Sequence, residues 1–298
     1  MKSKANFHIH TVHSDGGETV EQIVKQLKEQ GITHFAITDH DTVDGVEEGM
    51  RLAEQYGMNC VPGVEISAIF LDEVEGLDST CTAHILALGF DVNEMRKQLE
   101  AYKQARQNIV AKLVDQLIED GFAISKERNY NSRTTVAWEL VKSGCADKVG
   151  AAFENILNSE KYVDYTKVAE CYISNVVKDI KNCGGLCVLA HPFGYTRGGK
   201  KRLSEEQVEQ YVGHYSNYID GIEVFYQNYD STQIAFLDGL ADKYGLLKSI
   251  GTDYHHSPVD LIKYPKYAAR LKKETLCFDV EGVTADETII NIIDGRNA

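Results

Sequence analysis

The stretch Phe7-His8-Ile9-His10-Thr11-Val12-His13-Ser14-Asp15-Gly16 decides how the chain is read. It starts in a short apolar run, Asn6–Thr11, that has the length and composition of a strand. A strand turns successive side chains to opposite faces, so His8 and His10 share a face and can share an ion. Asp15 follows at once in a Ser-Asp-Gly turn.

Outward from this stretch the same arrangement recurs. Apolar runs predict further strands at His34–Thr38, Cys60–Ile66, Ala83–Gly89, Cys187–Ala190, Gly221–Phe225 and Lys248–Gly251. The second ends in Thr38-Asp39-His40-Asp41 and the third in Gly63-Val64-Glu65. Ala83-His84 opens the fourth, Ala190-His191-Pro192 closes the fifth, and Gly251-Thr252-Asp253-Tyr254-His255 closes the last. Helices fill the intervals. Thr19 with Gln22 and Ser204 with Gln207 read as capping boxes, and Gly31 as a helix stop. Strands alternating with helices predict a mainly parallel sheet, open or closed into a barrel, whose strand ends share one mouth.

A lone histidine at a strand end is usually a hydrogen-bonded structural residue. Six histidines and three acids at successive strand ends are hard to attribute to packing. Imidazole and carboxylate without thiolate suit Mn, Fe or Zn rather than Ca. Asp39 and Asp41 flank His40 and are read as orienting it. His13, His34, His214 and His256 are read as structural or exposed.

From about residue 93 to 158 no strand is predicted. Ile109, Leu113 and Leu117 recur at helical spacing, Val136, Leu140 and Val141 mark a second helix, and Phe153, Ile156 and Leu157 a third. This divides the chain into a barrel, residues 1–92 and 159–298, and a helical insertion, residues 93–158, expected to cover the mouth.

The 298 residues can bury a core without staples, and a net charge of −14 disfavours tracking along a long nucleic acid. Cys60, Cys81, Cys145, Cys171, Cys183, Cys187 and Cys277 are scattered, as in a reducing compartment. There is neither a signal-peptide pattern at the start nor a run of ~18 apolar residues. A cytoplasmic protein without a membrane partner is expected.

The series FHIHTVHSDG, ITDHD, GVEIS, AHILALGF, AHPF and GTDYH resembles the polymerase-and-histidinol-phosphatase (PHP) family, in its stand-alone phosphoesterase branch. The insertion, with SRTTVAWELVKSG and AFENILNSEKYV, is similar to that branch as well. The resemblance implies a distorted (β/α)7 barrel of TIM type, in the α/β class, and two to three divalent metal ions. It places His8, His10 and Asp253 on one ion, Asp15, His40 and His255 on a second, and His84 and His191 on a third, with Glu65 bridging two. Asp15, His40 and Glu65 would also carry the chemistry.

It further implies hydrolysis of phosphomonoester or short phosphodiester bonds of small nucleotides, such as nucleoside 3′,5′-bisphosphates, by hydroxide formed between two ions. A histidinol-phosphate phosphatase and a 5′-3′ exonuclease acting on short oligonucleotides share the same metals and fold. An amidohydrolase also begins with H-x-H but lacks the ITDHD and G-V-E combination. Three dications less Asp15, Glu65 and Asp253 leave about +3 locally, which suits a small anionic substrate despite the global charge. Arg133 in the insertion and Arg197 after A-H-P are the candidates for gripping phosphate; the run Lys200–Arg202 is read as a solvated loop. Relatives of this branch often carry a histidine two residues after that insertion arginine, where this chain has Thr135.

Overall fold

The structure, a computed structural model, describes residues 4–69, 82–125, 130, 133–166, 168, 171–194 and 203–255. Seven strands form one sheet in sequence order: β1 Ala5–Asn6, β2 His34–Ile37, β3 Asn59–Ile69, β4 Thr82–Leu88, β5 Leu186–Leu189, β6 Gly221–Tyr226 and β7 Leu247–Gly251. The two edges meet. Phe7 N–H donates to the Ile250 carbonyl, and Ile9 bridges Tyr254 in parallel, so the sheet is a nearly closed barrel.

One strand departs from the expected direction. Pairs β1–β2, β2–β3, β5–β6 and β6–β7 are parallel, but β4 is antiparallel to both β3 and β5. The start of β4 therefore lies at the same mouth as the ends of its neighbours. That is why His84 lies near the start of its strand, whereas His10, His40, His191 and Asp253 follow theirs and Glu65 lies within β3.

Strand alternation divides the side chains. Val61 on β3, Leu86 and Leu88 on β4, and Leu186 and Val188 on β5 join Phe7 and Ala36 in an apolar plug inside the barrel. The residues between them, Val64, Ile66, Ile85, Ala87, Cys187 and Leu189, face outward onto the helices. Glu65 continues the inward row of Val61, and His84 that of Leu86. Each row thus changes from apolar to ligating on approaching the mouth.

The helices α1 Val20–Glu29, α2 Val46–Tyr56, α6 Ile173–Asn182, α7 Glu205–Tyr215 and α8 Ser231–Tyr244 join the strands. Both expected capping boxes form, Thr19 with Gln22 and Ser204 with Gln207, and Asp230 with Gln233 makes a third. Gly31, in the left-handed region, follows the end of α1. Between β4 and β5 come α3 Val92–Glu119, α4 Arg133–Lys142, α5 Val149–Ala152 and a π-helical turn, Phe153–Leu157. Leu113, Leu117, Val136, Leu140, Ala152 and Leu157 give this segment a core of its own. Among the described residues no helix is long and apolar enough to cross a membrane.

Candidate metal centre

Glu65 is fully buried, and five imidazoles surround it. Its Oε2 lies 3.3 Å from His8 Nε2, 3.1 Å from His10 Nε2 and 3.1 Å from His40 Nδ1. Its Oε1 lies 2.8 Å from His84 Nδ1 and 3.1 Å from His191 Nε2. Asp253 Oδ1 approaches His8 Nε2 at 3.3 Å, His10 Nε2 at 3.2 Å and His255 Nδ1 at 3.3 Å. Asp15 Oδ1 is 3.1 Å from His255 Nε2 and farther, 3.7 and 3.9 Å, from His10 Nδ1 and His40 Nε2.

Eight of the nine candidate ligands are therefore drawn into interlocking groups whose donor atoms lie within 4.8 Å of one another: His8, His10, Glu65 and Asp253; His10, Asp15, His40 and His255; and His40, Glu65 and His84. His10, His40 and Glu65 each belong to two groups. His191, the ninth, joins the cluster through Glu65.

Closeness alone does not make a metal site; the state of the ligand atoms is more telling. His8 Nε2, both ring nitrogens of His10, His40 Nδ1 and Glu65 Oε2 are buried and hydrogen-bonded to nothing. A buried polar atom without a partner costs about 1–3 kcal/mol. Several of them facing one another would be strongly unfavourable unless a cation sat at their focus. This donor set, imidazole and carboxylate with no thiolate, fits divalent Mn, Fe or Zn.

Electrostatics point the same way. Burial alone would raise the three carboxylates, but the facing imidazoles outweigh it and hold Glu65, Asp253 and Asp15 well below the usual carboxylate range. Burial dominates at His40 and lowers it to about 4. At His8, His84 and His255 the carboxylates overcome burial, and His255 rises to about 9. Those rings keep protons where an ion's charge would stand, so metal affinity should rise with pH as the protons are given up.

The ligands rest on a specific local framework. Thr38 Oγ accepts the Ile9 N–H at 2.9 Å, Asp253 N–H donates to the His8 carbonyl, and His10 N–H to that of Tyr254. Asn6 accepts N–H bonds from His8 and Thr252, tying the first strand end to the last. Gly16 lets the Asp15 turn fold back onto the H-x-H segment: a Cβ there would lie 2.5 Å from the His10 carbonyl. Asp39 does not orient His40, as expected from the sequence. It instead accepts bonds from Thr11 N–H at 2.7 Å, Thr11 Oγ at 2.7 Å and Ser14 Oγ at 2.6 Å, pinning the loop that carries Asp15. Asp41 likewise turns to Ser67 and Arg106.

Sequence reasoning missed Glu223. It is fully buried on β6; its Oε1 lies 3.0 Å from His8 Nδ1, and its Oε2 accepts the His191 N–H at 2.7 Å. A carboxylate on the far nitrogen fixes a ligating histidine's tautomer and aim. His8 is thereby left to present Nε2, and the His191 backbone is held at a φ of 27°. Gly251 makes room for this, since a Cβ there would come within 2.2 Å of Glu223 Oε1 and 2.4 Å of His8 Cβ. The signal in the sequence was one acid amid the apolar run of Gly221–Phe225. Tyr226 was also overlooked; its hydroxyl donates to Asp253 Oδ2 at 3.0 Å.

Side-chain exposure increases in one direction, from 0% at His8, His10 and Glu65 through 16% at His84 and 22% at His40 to 42% at Asp15, so the centre opens to solvent on the Asp15 and His40 side. Arg133 starts α4, donates to the Leu157 carbonyl and to Asn158 Oδ1, and lies over the Phe153 ring. Arg197, the Lys200–Arg202 run and His256 lie outside the described residues. His13 is exposed, and His34 is buried against Thr33 and Asn59.

With this geometry established, comparison with known proteins is specific. A 5′-3′ exoribonuclease of Haemophilus influenzae is 28% identical over 264 residues, covering 86% of this chain and 91% of its own. A 3′,5′-nucleoside bisphosphate phosphatase of Chromobacterium violaceum is 26% identical over 262 residues, with coverages of 84% and 86%. The crystal structure of a Bifidobacterium adolescentis protein described as a metal-dependent phosphoesterase superposes with a TM-score of 0.60 at 25% identity, covering 98% of this chain and 96% of that one. The family model described as PHP domain matches residues 6–225, and Asp253 and His255, beyond its end, are brought to the same centre by the closing strand. The chain belongs to the PHP-domain family.

Proposed function

We propose that this protein hydrolyses phosphate esters of small nucleotides at two to three divalent ions, Mn, Fe or Zn, held by His8, His10, Asp15, His40, Glu65, His84, His191, Asp253 and His255. The observation that carries this reading is the set of buried ligand atoms around Glu65 that bond to nothing else in the protein. Ions bound there would acidify water and offset the negative charge of the phosphoryl oxygens. The protein's own part is to hold that charge in place. Glu65, anionic and buried, faces five imidazoles at once and sets the spacing of the groups it joins. Asp15 is held ionised on the open side, so it can accept a hydrogen bond or ligate a cation but is a weak base and cannot act as an acid at neutral pH. His40, beside it and kept neutral, is free to ligate.

The substrate class rests on the relatives, whose names describe action on nucleotide phosphates, one as a phosphatase and one as an exoribonuclease. Hydrolysis of short oligonucleotides is the second reading, supported by the exoribonuclease relative; the charge of −14 makes a long nucleic acid a poor partner. Arg133 and Arg197 are proposed to grip a phosphate remote from the reacting one. No disulfide forms among the described cysteines, which suits the cytoplasm. A panel run with Mn²⁺ tests the proposal, using a nucleoside 3′,5′-bisphosphate, a dinucleotide, a short oligoribonucleotide, histidinol phosphate and an amide. Release of phosphate or mononucleotide from the nucleotides is expected, with the amide inert. Preference for histidinol phosphate would overturn the nucleotide assignment, and inertness towards every phosphoester would overturn the reading as a whole.

A further inference from the structure

Strand β3 outruns its neighbour. Its last regular pair with β2 is Pro62 with Ile37, followed by an isolated bridge between Glu65 and His40, whereas its pairing with β4 continues to Ile69. Beyond Glu65, no strand among the described residues pairs with the β2 side of β3. Ser67 lies on this open edge, directly across from His84 on β4.

Two side chains bond the Ser67 backbone on this edge. Asp41 Oδ1 accepts the Ser67 N–H at 3.0 Å, and Arg106 Nη2 donates to the Ser67 carbonyl at 2.6 Å. Arg106 Nη1 meets Asp41 Oδ2 at 2.7 Å, which closes the triangle. Asp41 directly follows His40, holds a φ of 53°, and donates its own N–H to the Glu65 carbonyl. A non-glycine residue in that region of backbone space costs of order 1–3 kcal/mol and persists only when its surroundings hold it there. Those surroundings are Ser67, Glu65 and Arg106. Each partner sits beside or on a candidate ligand strand.

Arg106 comes from the insertion. On α3, Met95, Leu99 and Tyr102 pack into the main barrel-and-helix core, while Val110, Leu113 and Leu117 pack into the separate core of the insertion. Arg106 stands where the helix passes from one to the other. Its ion pair with Asp41 is about three-quarters buried on both sides, so it is less screened than a surface pair.

We propose that Arg106 is a positioning residue that clamps the His40–Asp41 turn to β3, fixing His40 and Glu65 relative to each other and tying the seat of the insertion to the metal centre. This rests on the reading of His40 and Glu65 as ligands. The clamp predicts that loosening Arg106 acts on metal retention and on the local backbone before it acts on substrate affinity.

The test compares the full chain with Arg106→Ala, Arg106→Gln and Arg106→Lys. Three quantities are read: Mn²⁺ affinity by titration, hydrogen exchange in the segments 38–44 and 63–69, and kcat and KM on a dinucleotide. Arg106→Ala should weaken binding of at least one ion by about 10–100-fold, speed exchange in both segments, and lower kcat more than it raises KM. Arg106→Lys should recover part of each effect, because an ammonium can pair with Asp41 but cannot span both partners as the guanidinium fork does. If Arg106→Ala fails to fold, Arg106→Gln, which keeps a donor for Ser67 without the charge, should show the same pattern in smaller measure. Unchanged exchange and unchanged Mn²⁺ affinity with a raised KM would overturn the clamp and make Arg106 a substrate contact. A wild-type protein that binds no Mn²⁺ would refute the metal reading instead, and the exchange comparison would still decide the clamp.

Discussion

The barrel mouth and the helical insertion differ in how their polar side chains are bonded. In the insertion Arg133 Nη2 bonds Leu157 and Asn158, which leaves its Nε as a single buried nitrogen without a partner, and Asp120 takes both Lys161 and Tyr162. At the mouth, His8, His10, His40 and Glu65 present buried atoms that bond to nothing. Backbone strain divides in the same way. Among the described residues, the non-glycine positions at positive φ are Asp41, His191 and Asp253, all at the centre, whereas the insertion has only glycines there, Gly121 and Gly144. Strain and unmet bonding concentrated in one place mark where a structure does chemistry. The insertion has a hydrophobic core of its own.

The sharpest way to break this division is to remove the carboxylate at its hub. Glu65→Gln should lower kcat on any phosphoester by on the order of 10³-fold or more, because an amide cannot offset the charge of two cations. It should strip metal while leaving the fold intact by circular dichroism. Near-normal kcat would show that Glu65 does not join two ions, and a large loss of stability with little loss of rate would make it a structural acid.

A smaller effect is expected one layer out. Glu223→Gln keeps the shape but not the charge that faces His8 Nδ1. Metal affinity should fall by about 10–100-fold, and activity should return at high Mn²⁺. Activity that stays low at saturating Mn²⁺ would place Glu223 nearer the reaction than the geometry does.

The smallest and most selective effect belongs to the insertion. Arg133→Ala should lower kcat/KM on a nucleoside bisphosphate by roughly ten- to a hundred-fold, the worth of a bidentate contact of about 1.5–3 kcal/mol. Hydrolysis of p-nitrophenyl phosphate, with no second phosphate, should be almost unchanged. Equal losses on both esters, together with a lowered Tm, would instead assign Arg133 to its bonds with Leu157 and Asn158.

The candidate ligands were legible in the sequence because each ends or begins an apolar strand, a pattern that packing alone does not produce. The seven strands and two of the capping boxes were legible for the same local reasons. What escaped depends on contacts across the fold. The reversal of β4 leaves no mark on its own residues, and only the place of His84 at the start of its strand hinted at it. Glu223 resembled any strand residue until the barrel closed and Gly251 brought His8 against it. Arg106 was one cation among several on the long helix α3, and Asp39 was assigned to its neighbour in sequence rather than to Thr11 and Ser14, its neighbours in space.

The central claim is that the unbonded atoms around Glu65 are ligands of metal. Elemental analysis of the purified full chain tests it most directly, before and after dialysis against a chelator and again after Mn²⁺ is restored. The account predicts two to three equivalents of Mn, Fe or Zn per chain, loss of phosphoesterase activity with the metal, and recovery on its return. Less than about one equivalent, with no activation by Mn²⁺, would contradict it.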